Sequence, residues 1–196
     1  MTTAVEKMQS ALDAIERHNS RVNAVISLAD PDDLMKHAEA ADQVPTEQRG
    51  PLHGEPIAIK DLANAAGFET SMGSPIFKKN LVKTDDIMVA RMRAEGAIII
   101  GKTNTPEFGL GSHTFNPVHG ATGNAYDATR SAGGSSGGAA VALATGMMRY
   151  ADGSDMMGSL RNPAGWNNVY GMRPTWGLVP SEPLCDSFLH QLATNG

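Results

Sequence analysis

Cysteine is almost absent: Cys185 stands alone among 196 residues. One thiol builds neither a disulfide framework nor a thiolate metal cluster within the chain, so Cys185 reads as a packing residue. Basic clusters are also lacking. Lys and Arg number 16 against 21 Asp and Glu, a net charge of -5, and no basic run interleaves with aromatics. Nucleic acid is therefore not an expected direct ligand. The first seven residues lack a charged segment followed by an apolar one, and no apolar run approaches membrane-spanning length. These two absences predict no membrane partner and a cytoplasmic location. His18, His37, His53, His113, His119 and His190 show no ligand spacing, so neither a metal nor another cofactor is expected. No internal repeat or long low-complexity tract interrupts the chain.

What is present is ordinary globular composition, with 41% hydrophobic and 19% charged residues, enough for one core in a chain of this length. Glycine is abundant at 21 residues and concentrates in the later two thirds, where close backbone approaches are to be sought. Met8, Leu12 and Ile15 recur at helical spacing and predict a helix over 4–18. Asp30-Pro31-Asp32-Asp33 reads as an N-cap, a proline at the first helical position and acidic residues on the positive end of the dipole. The apolar face that follows is Leu34, Ala38 and Ala41. Residues 1–45 thus read as an N-terminal helical arm. Pro45, Gly50, Pro51 and Gly54 mark a linker. Ile57-Ala58-Ile59 and Ala97-Ile98-Ile99-Ile100 read as strands on either side of a helix over about 86–95 that Gly96 ends, which predicts an α/β fold. A helix over 139–145 and a strand over 147–151 complete the reading.

Three motifs compete for the chemistry. Residues 96–103 fit the phosphate-loop pattern G-x-x-x-x-G-K-[ST], but their Ile98-Ile99-Ile100 centre wants burial as a strand, and Asn104-Thr105-Pro106 follows instead of a helix. Gly133-Gly134-Ser135-Ser136-Gly137 contains the G-x-S-x-G of a nucleophile elbow, with Asp155 and His190 behind it in order. The elbow needs a buried strand before the serine, whereas residues 126–132 are mostly polar, so this reading ranks second.

The favoured set is Lys60 at the end of a short apolar strand, Ser135 and Ser136 inside a glycine run, and Ser159 after the turn Asp155-Met156-Met157-Gly158. The I-K-D, G-G-S-S-G-G and D-x-x-G-S-[IL]-R-x-P-A segments, with Ser159 lying 24 residues beyond Ser135 and 99 beyond Lys60, resemble the amidase signature family. Gly101-Lys102-Thr103-Asn104-Thr105-Pro106-Glu107-Phe108 and Gly171-Met172-Arg173-Pro174-Thr175 share in the likeness. It implies an α/β fold, a mixed sheet flanked by helices, with residues 46–196 forming the N-terminal portion of a catalytic domain that is truncated before the later strands.

The resemblance implies a Ser-Ser-Lys triad hydrolysing linear amide C–N bonds through an acyl-enzyme: Ser159 as nucleophile, Ser135 as a bridging serine on a cis peptide, Lys60 as the base. It further implies backbone donors at Met156, Met157, Gly158 and Ser159 for the oxyanion, with Ser136, Asp155 and Arg161 in support. Met157 replaces a glycine common in the family and is expected to narrow the acyl pocket. An ordinary lysine is neutral in only about one molecule in 2,500 at pH 7, so a base here needs its pKa lowered at a cost of about 4 kcal/mol. The implied partner is a small-molecule amide. Met156-Met157 and Leu160-Arg161-Asn162-Pro163 resemble stand-alone bacterial amidases. The alternatives are the A component of a glutamyl-tRNA(Gln) amidotransferase, acting as a glutaminase, and an inactive truncated fragment. Because the likeness stops just after Ser181-Glu182-Pro183, a second chain or a further copy completing the fold is also in view.

Overall fold

The computed structural model describes residues 2–181 and 193–196. Cys185 and His190 lie outside the described residues. Helix α1, Ala4–Val22, begins with a capping box: Glu6 N–H donates to Thr3 Oγ1 at 3.1 Å, and Thr3 N–H donates to Glu6 Oε2 at 2.8 Å. It runs a turn beyond the expected end because nothing breaks it before Asn23, which takes a left-handed cap at φ 52°. Helix α2, Pro31–Asp42, starts as predicted, with Asp30 Oδ1 accepting from Asp32 and Asp33 N–H.

Strand β1, Pro56–Lys60, pairs in parallel with β2, Ile98–Thr103, and both are buried along their whole length. Helix α3, Ile87–Ala94, connects them and ends at Gly96. The two-residue period of a strand divides the apolar side chains between two cores. Ile57, Ile59 and Ile99 pack with Met88 and Val89 of α3. Ala58, Ile98 and Ile100 pack with Met8, Ile15 and Val22 of α1 and Val141 of helix α4, Gly137–Ala144. Such two-faced burial suits parallel strands with near-continuous apolar sequence.

The remaining strands are short antiparallel pairs, β3 Phe115–Asn116 with β4 Gly120–Ala121, and β5 Ser154–Asp155 with β6 Thr194–Asn195. Helix α5, Arg161–Trp166, follows β5. The fold is therefore α/β as expected, its described strands forming one parallel and two antiparallel pairs.

Two expectations need revision. Residues 147–151 form no strand: Met147 and Met148 are buried, but Met147 N–H closes the end of α4 on the Ala142 carbonyl at 2.9 Å. Their apolarity serves side-chain packing, not a ladder. Helix α4 starts two residues earlier than predicted, taking in Gly137 and Gly138. Gly138 is required there by contact, since a Cβ would collide with the Asn104 nitrogen and lie 2.8 Å from the Ala24 oxygen. That close passage seats the glycine-serine loop against the end of β2.

The two rival motifs resolve. Residues 98–103 are strand, and Lys102 is buried, donating to the Ala63 carbonyl and, at 3.1 Å, to Thr70 Oγ1. No phosphate-cradling loop exists at that place. Residues 126–132 are turns with a single bridge at Ser131, so the strand an elbow needs is absent there.

Candidate active site

Strand β1 delivers Lys60 to the end of the parallel pair, where its main-chain N–H donates to Asp152 Oδ1 at 2.7 Å. The side chain is almost wholly buried, with 1% exposure. Its Nζ reaches three hydroxyls: Ser135 Oγ at 2.7 Å, Ser136 Oγ at 2.8 Å and Ser154 Oγ at 2.9 Å. Burial is the largest influence on this amine and lowers its pKa from 10.5 to about 7, against the opposing pull of Asp152 and then Asp155. The lysine therefore holds a useful fraction of neutral amine near neutral pH.

Its hydroxyl neighbours are not equivalent. Ser136 is engaged elsewhere, its hydroxyl donating to the Ser154 carbonyl at 3.3 Å while accepting from Ser154 N–H at 3.2 Å. A neutral amine has two N–H donors and one lone pair, so it accepts from one hydroxyl only. The Ser135 and Ser154 hydroxyls each have no other partner among the described residues, and Ser135, the more buried of the two, is joined to Gly134 by a cis peptide bond. The cis bond stands where the family resemblance put it.

Ser159 sits half-buried just before α5, and its carbonyl accepts from Ser136 N–H at 2.8 Å. That bond ties the turn carrying Ser159 to the loop carrying Ser135. The turn itself is organised by Asp155, fully buried, whose carboxylate accepts from Gly158 N–H at 2.8 Å and from Leu160 and Arg161 N–H at 3.2 Å each. Arg161 adds a two-pronged contact at 2.9 and 3.0 Å, and Arg173 Nε stands 3.4 Å away. Burial pushes the Asp155 carboxyl upward, but the Arg161 side chain and then the Gly158, Arg161 and Leu160 N–H groups outweigh it and hold it well below the usual carboxylate range.

Gly158 meets a backbone requirement at this turn: its φ is +107°, and a Cβ would fall 2.7 Å from Asn162 Nδ2. Met157 needs no such conformation, and its side chain is 86% exposed. It lines neither of the two cavities that flank Asp152. The four backbone groups implied for the oxyanion separate as well. Gly158 N–H is already given to Asp155, which corrects its place as a free donor; Met156, Met157 and Ser159 N–H make no hydrogen bond to a described residue.

Two residues of the site had no assigned role in the sequence, Asp152 and Ser154. Both lie inside the stretch Asp152-Gly153-Ser154-Asp155, and only the fold shows that they grip the two ends of Lys60. With Lys60 they face a cavity of about 620 Å³, whose wall also includes Met88, Trp176 and Val179. A second buried network lies next to it, where Asp61 accepts from Ser71 Oγ at 2.5 Å and stands 3.8 Å from Lys102 Nζ, while Ser71 Oγ meets His119 Nε2 at 3.0 Å. Among the described residues no group of three His, Cys, Asp or Glu is placed to hold a metal ion, and no helix is long and apolar enough to cross a membrane.

The sequence profile of the Amidase family matches residues 6–196. The A component of the glutamyl-tRNA(Gln) amidotransferase from Alkaliphilus metalliredigens is 40% identical over 90% of this chain and 36% of its own. An indoleacetamide hydrolase from Bradyrhizobium diazoefficiens is 40% identical over 91% of this chain and 34% of its own. The crystal structure of a peptide amidase from Stenotrophomonas maltophilia superposes with a TM-score of 0.86 at 33% identity, covering 99% of this chain and 41% of that one. The chain spans about a third of the length of the curated relatives it matches, 36% and 34% for these two. With the buried lysine, the cis-linked serine and the Asp155-braced turn in place, a profile match from residue 6 to residue 196 makes this chain a member of the amidase signature family.

Proposed function

We propose that this chain carries the catalytic centre of an amide hydrolase, with Ser159 as nucleophile, Ser135 as proton bridge and Lys60 as base. The observation that supports it most strongly is Lys60: a buried amine with a pKa near 7, 2.7 Å from the hydroxyl of a cis-linked serine. An amine so tuned takes a proton at neutral pH and gives it back, which both halves of amide cleavage require.

The Ser159 oxygen attacks the amide carbonyl carbon while its proton passes to Ser135, whose own proton moves to the lone pair of Nζ. The carbonyl π electrons collect on oxygen, and the Met156, Met157 and Ser159 N–H groups are the candidate donors to that charge. The C–N bond then breaks as the proton returns from Nζ through Ser135 to the nitrogen, because an amide anion is too basic to leave unprotonated. Water repeats the sequence on the Ser159 ester and releases the carboxylate. Asp155, Arg161 and Ser136 act by holding the turn and the loop in register.

The proposed substrate is a carboxamide, in line with the relatives named indoleacetamide hydrolase and peptide amidase. A second reading, glutaminase action within a larger assembly, draws support from the amidotransferase relative, which is 40% identical. The test is to offer the purified protein indoleacetamide, a peptide amide and glutamine, and to weigh the acid-quenched enzyme by mass spectrometry. An acyl adduct on the peptide containing Ser159 is expected. Ser159→Ala should abolish turnover and adduct, and Lys60→Ala should lower kcat by several orders of magnitude at neutral pH. Near-normal turnover in either variant sinks the mechanism, and preference for glutamine with a need for a partner chain favours the second reading.

A further inference from the structure

Asp152 is a buried carboxyl, 4% exposed, that the mechanism above leaves without a task. Its Oδ1 accepts the main-chain N–H of Lys60, so it meets the lysine at the strand and not at the amine. No ion pair within 4.0 Å joins the carboxylate to Nζ among the described residues, whereas Lys7, Lys36 and Lys102 all have such partners. This arrangement differs in kind from a salt bridge. A carboxylate in direct contact would lock Lys60 as an ammonium and remove the lone pair that a base needs. At one remove it leaves Nζ to the three serine hydroxyls while still placing a negative charge in the same buried region.

We propose that Asp152 is a positioning residue for Lys60: its carboxyl holds the end of β1 through the Lys60 main-chain N–H and balances the ammonium charge formed when Nζ takes the nucleophile's proton. The proposal rests on the reading of Lys60 as base.

The charged groups that face this pair are few. Lys60 and Lys102 act on Asp152, and Asp152 with Asp155 acts on Lys60; Lys102 in turn faces Asp61, Asp152 and Asp86. Burial raises the Asp152 pKa and lowers that of Lys60, while each group's charge opposes the other's shift. The two therefore titrate as a coupled pair. A charge that matters more to the protonated base than to the free enzyme acts on kcat and not on KM.

Asp152→Asn separates charge from structure, because the amide oxygen still accepts the Lys60 N–H. In ε-¹³C-lysine-labelled protein, the Lys60 signal, assigned by its loss in Lys60→Met, is expected to titrate about one pH unit lower in D152N than in wild type. With indoleacetamide or whichever amide of the panel turns over, the acid limb of kcat/KM should move by the same amount. kcat should fall about tenfold with little change in KM.

An unshifted Lys60 titration, together with wild-type kcat, overturns the proposal and leaves Asp152 a purely structural residue. Should D152N not fold, the wild-type titration decides: Lys60 must show a second inflection from Asp152, and a single inflection overturns the pairing. Failure of the underlying reading looks different. In that case Lys60 titrates as an ordinary lysine, or Lys60→Met keeps its activity, whatever Asp152 does.

Discussion

Replacing Lys60 with methionine keeps an unbranched apolar side chain as long as the lysine stem and takes away the amine, so the pH-dependent part of the change reports the free energy of burying that group. In the unfolded chain the amine titrates at its ordinary 10.5, and in the fold at about 7. Between those values the unfolded state binds a proton that the folded state has lost, so the stability of the wild type rises with pH. The contribution runs in one direction. Above the unfolded value both states are neutral and burial costs nothing in charge; below the folded value both are protonated and the full penalty applies. At about 1.4 kcal/mol per pH unit, the penalty reaches about 5 kcal/mol at its limit, of which about 4 kcal/mol is traversed between pH 6 and pH 10.

Lys60→Met lacks this dependence. Its stability relative to wild type should therefore be about 4 kcal/mol greater at pH 6 than at pH 10. Leaving Ser135, Ser136 and Ser154 without the amine adds a cost, but a hydroxyl does not titrate in this range, so that cost shifts the whole curve and not its slope. Lys102, also lowered by burial, contributes to both proteins and drops out of the difference, whereas Asp152, which loses the lowering influence of the Lys60 charge, is pushed further up in Lys60→Met and acts on the difference with the same sign. Urea unfolding followed by circular dichroism across that pH range measures it directly. A difference that stays flat with pH would mean that Lys60 keeps an ordinary titration in the fold, and the tuned base would be refuted without any substrate in hand.

Gly158→Ala should destabilise the protein by about 1–3 kcal/mol, because an L side chain at its φ of +107° is strained and meets Asn162. Thermal melting and kcat should fall together if the turn positions Ser159. Asp155→Asn should cost about 3 kcal/mol at neutral pH, since the buried carboxylate organises three backbone N–H groups and Arg161. The sign with pH is opposite to an elevated group's: the folded pKa is depressed, so this stability is present above 3.8 and is lost as pH falls toward the folded value. Stability measured against pH should therefore show a steeper acid-side decline in wild type than in D155N.

Much of this protein is legible in its sequence. The Asp30 cap, the apolar runs of β1 and β2, and the burial of the three isoleucines follow from local rules of capping and periodicity. Lys60, Ser135 and Ser159 are recognisable because each sits in a short, distinctive segment. Sequence patterns also dispose of the phosphate loop, since Ile98-Ile99-Ile100 could not both be buried and offer their N–H groups to an anion.

What local pattern could not supply was convergence. Asp152, Ser135 and Lys60 are far apart along the chain, and a hydrogen bond from strand to carboxylate, or from amine to hydroxyl, leaves no periodic trace in sequence. The loss of the predicted strand at 147–151 has the same origin: apolar residues record burial, but whether their backbone joins a ladder depends on what lies beside them. The lysine that began as a strand-end residue of a motif is fitted to the proposed role of base only by tertiary structure, because desolvation from all sides is what brings its pKa to about 7.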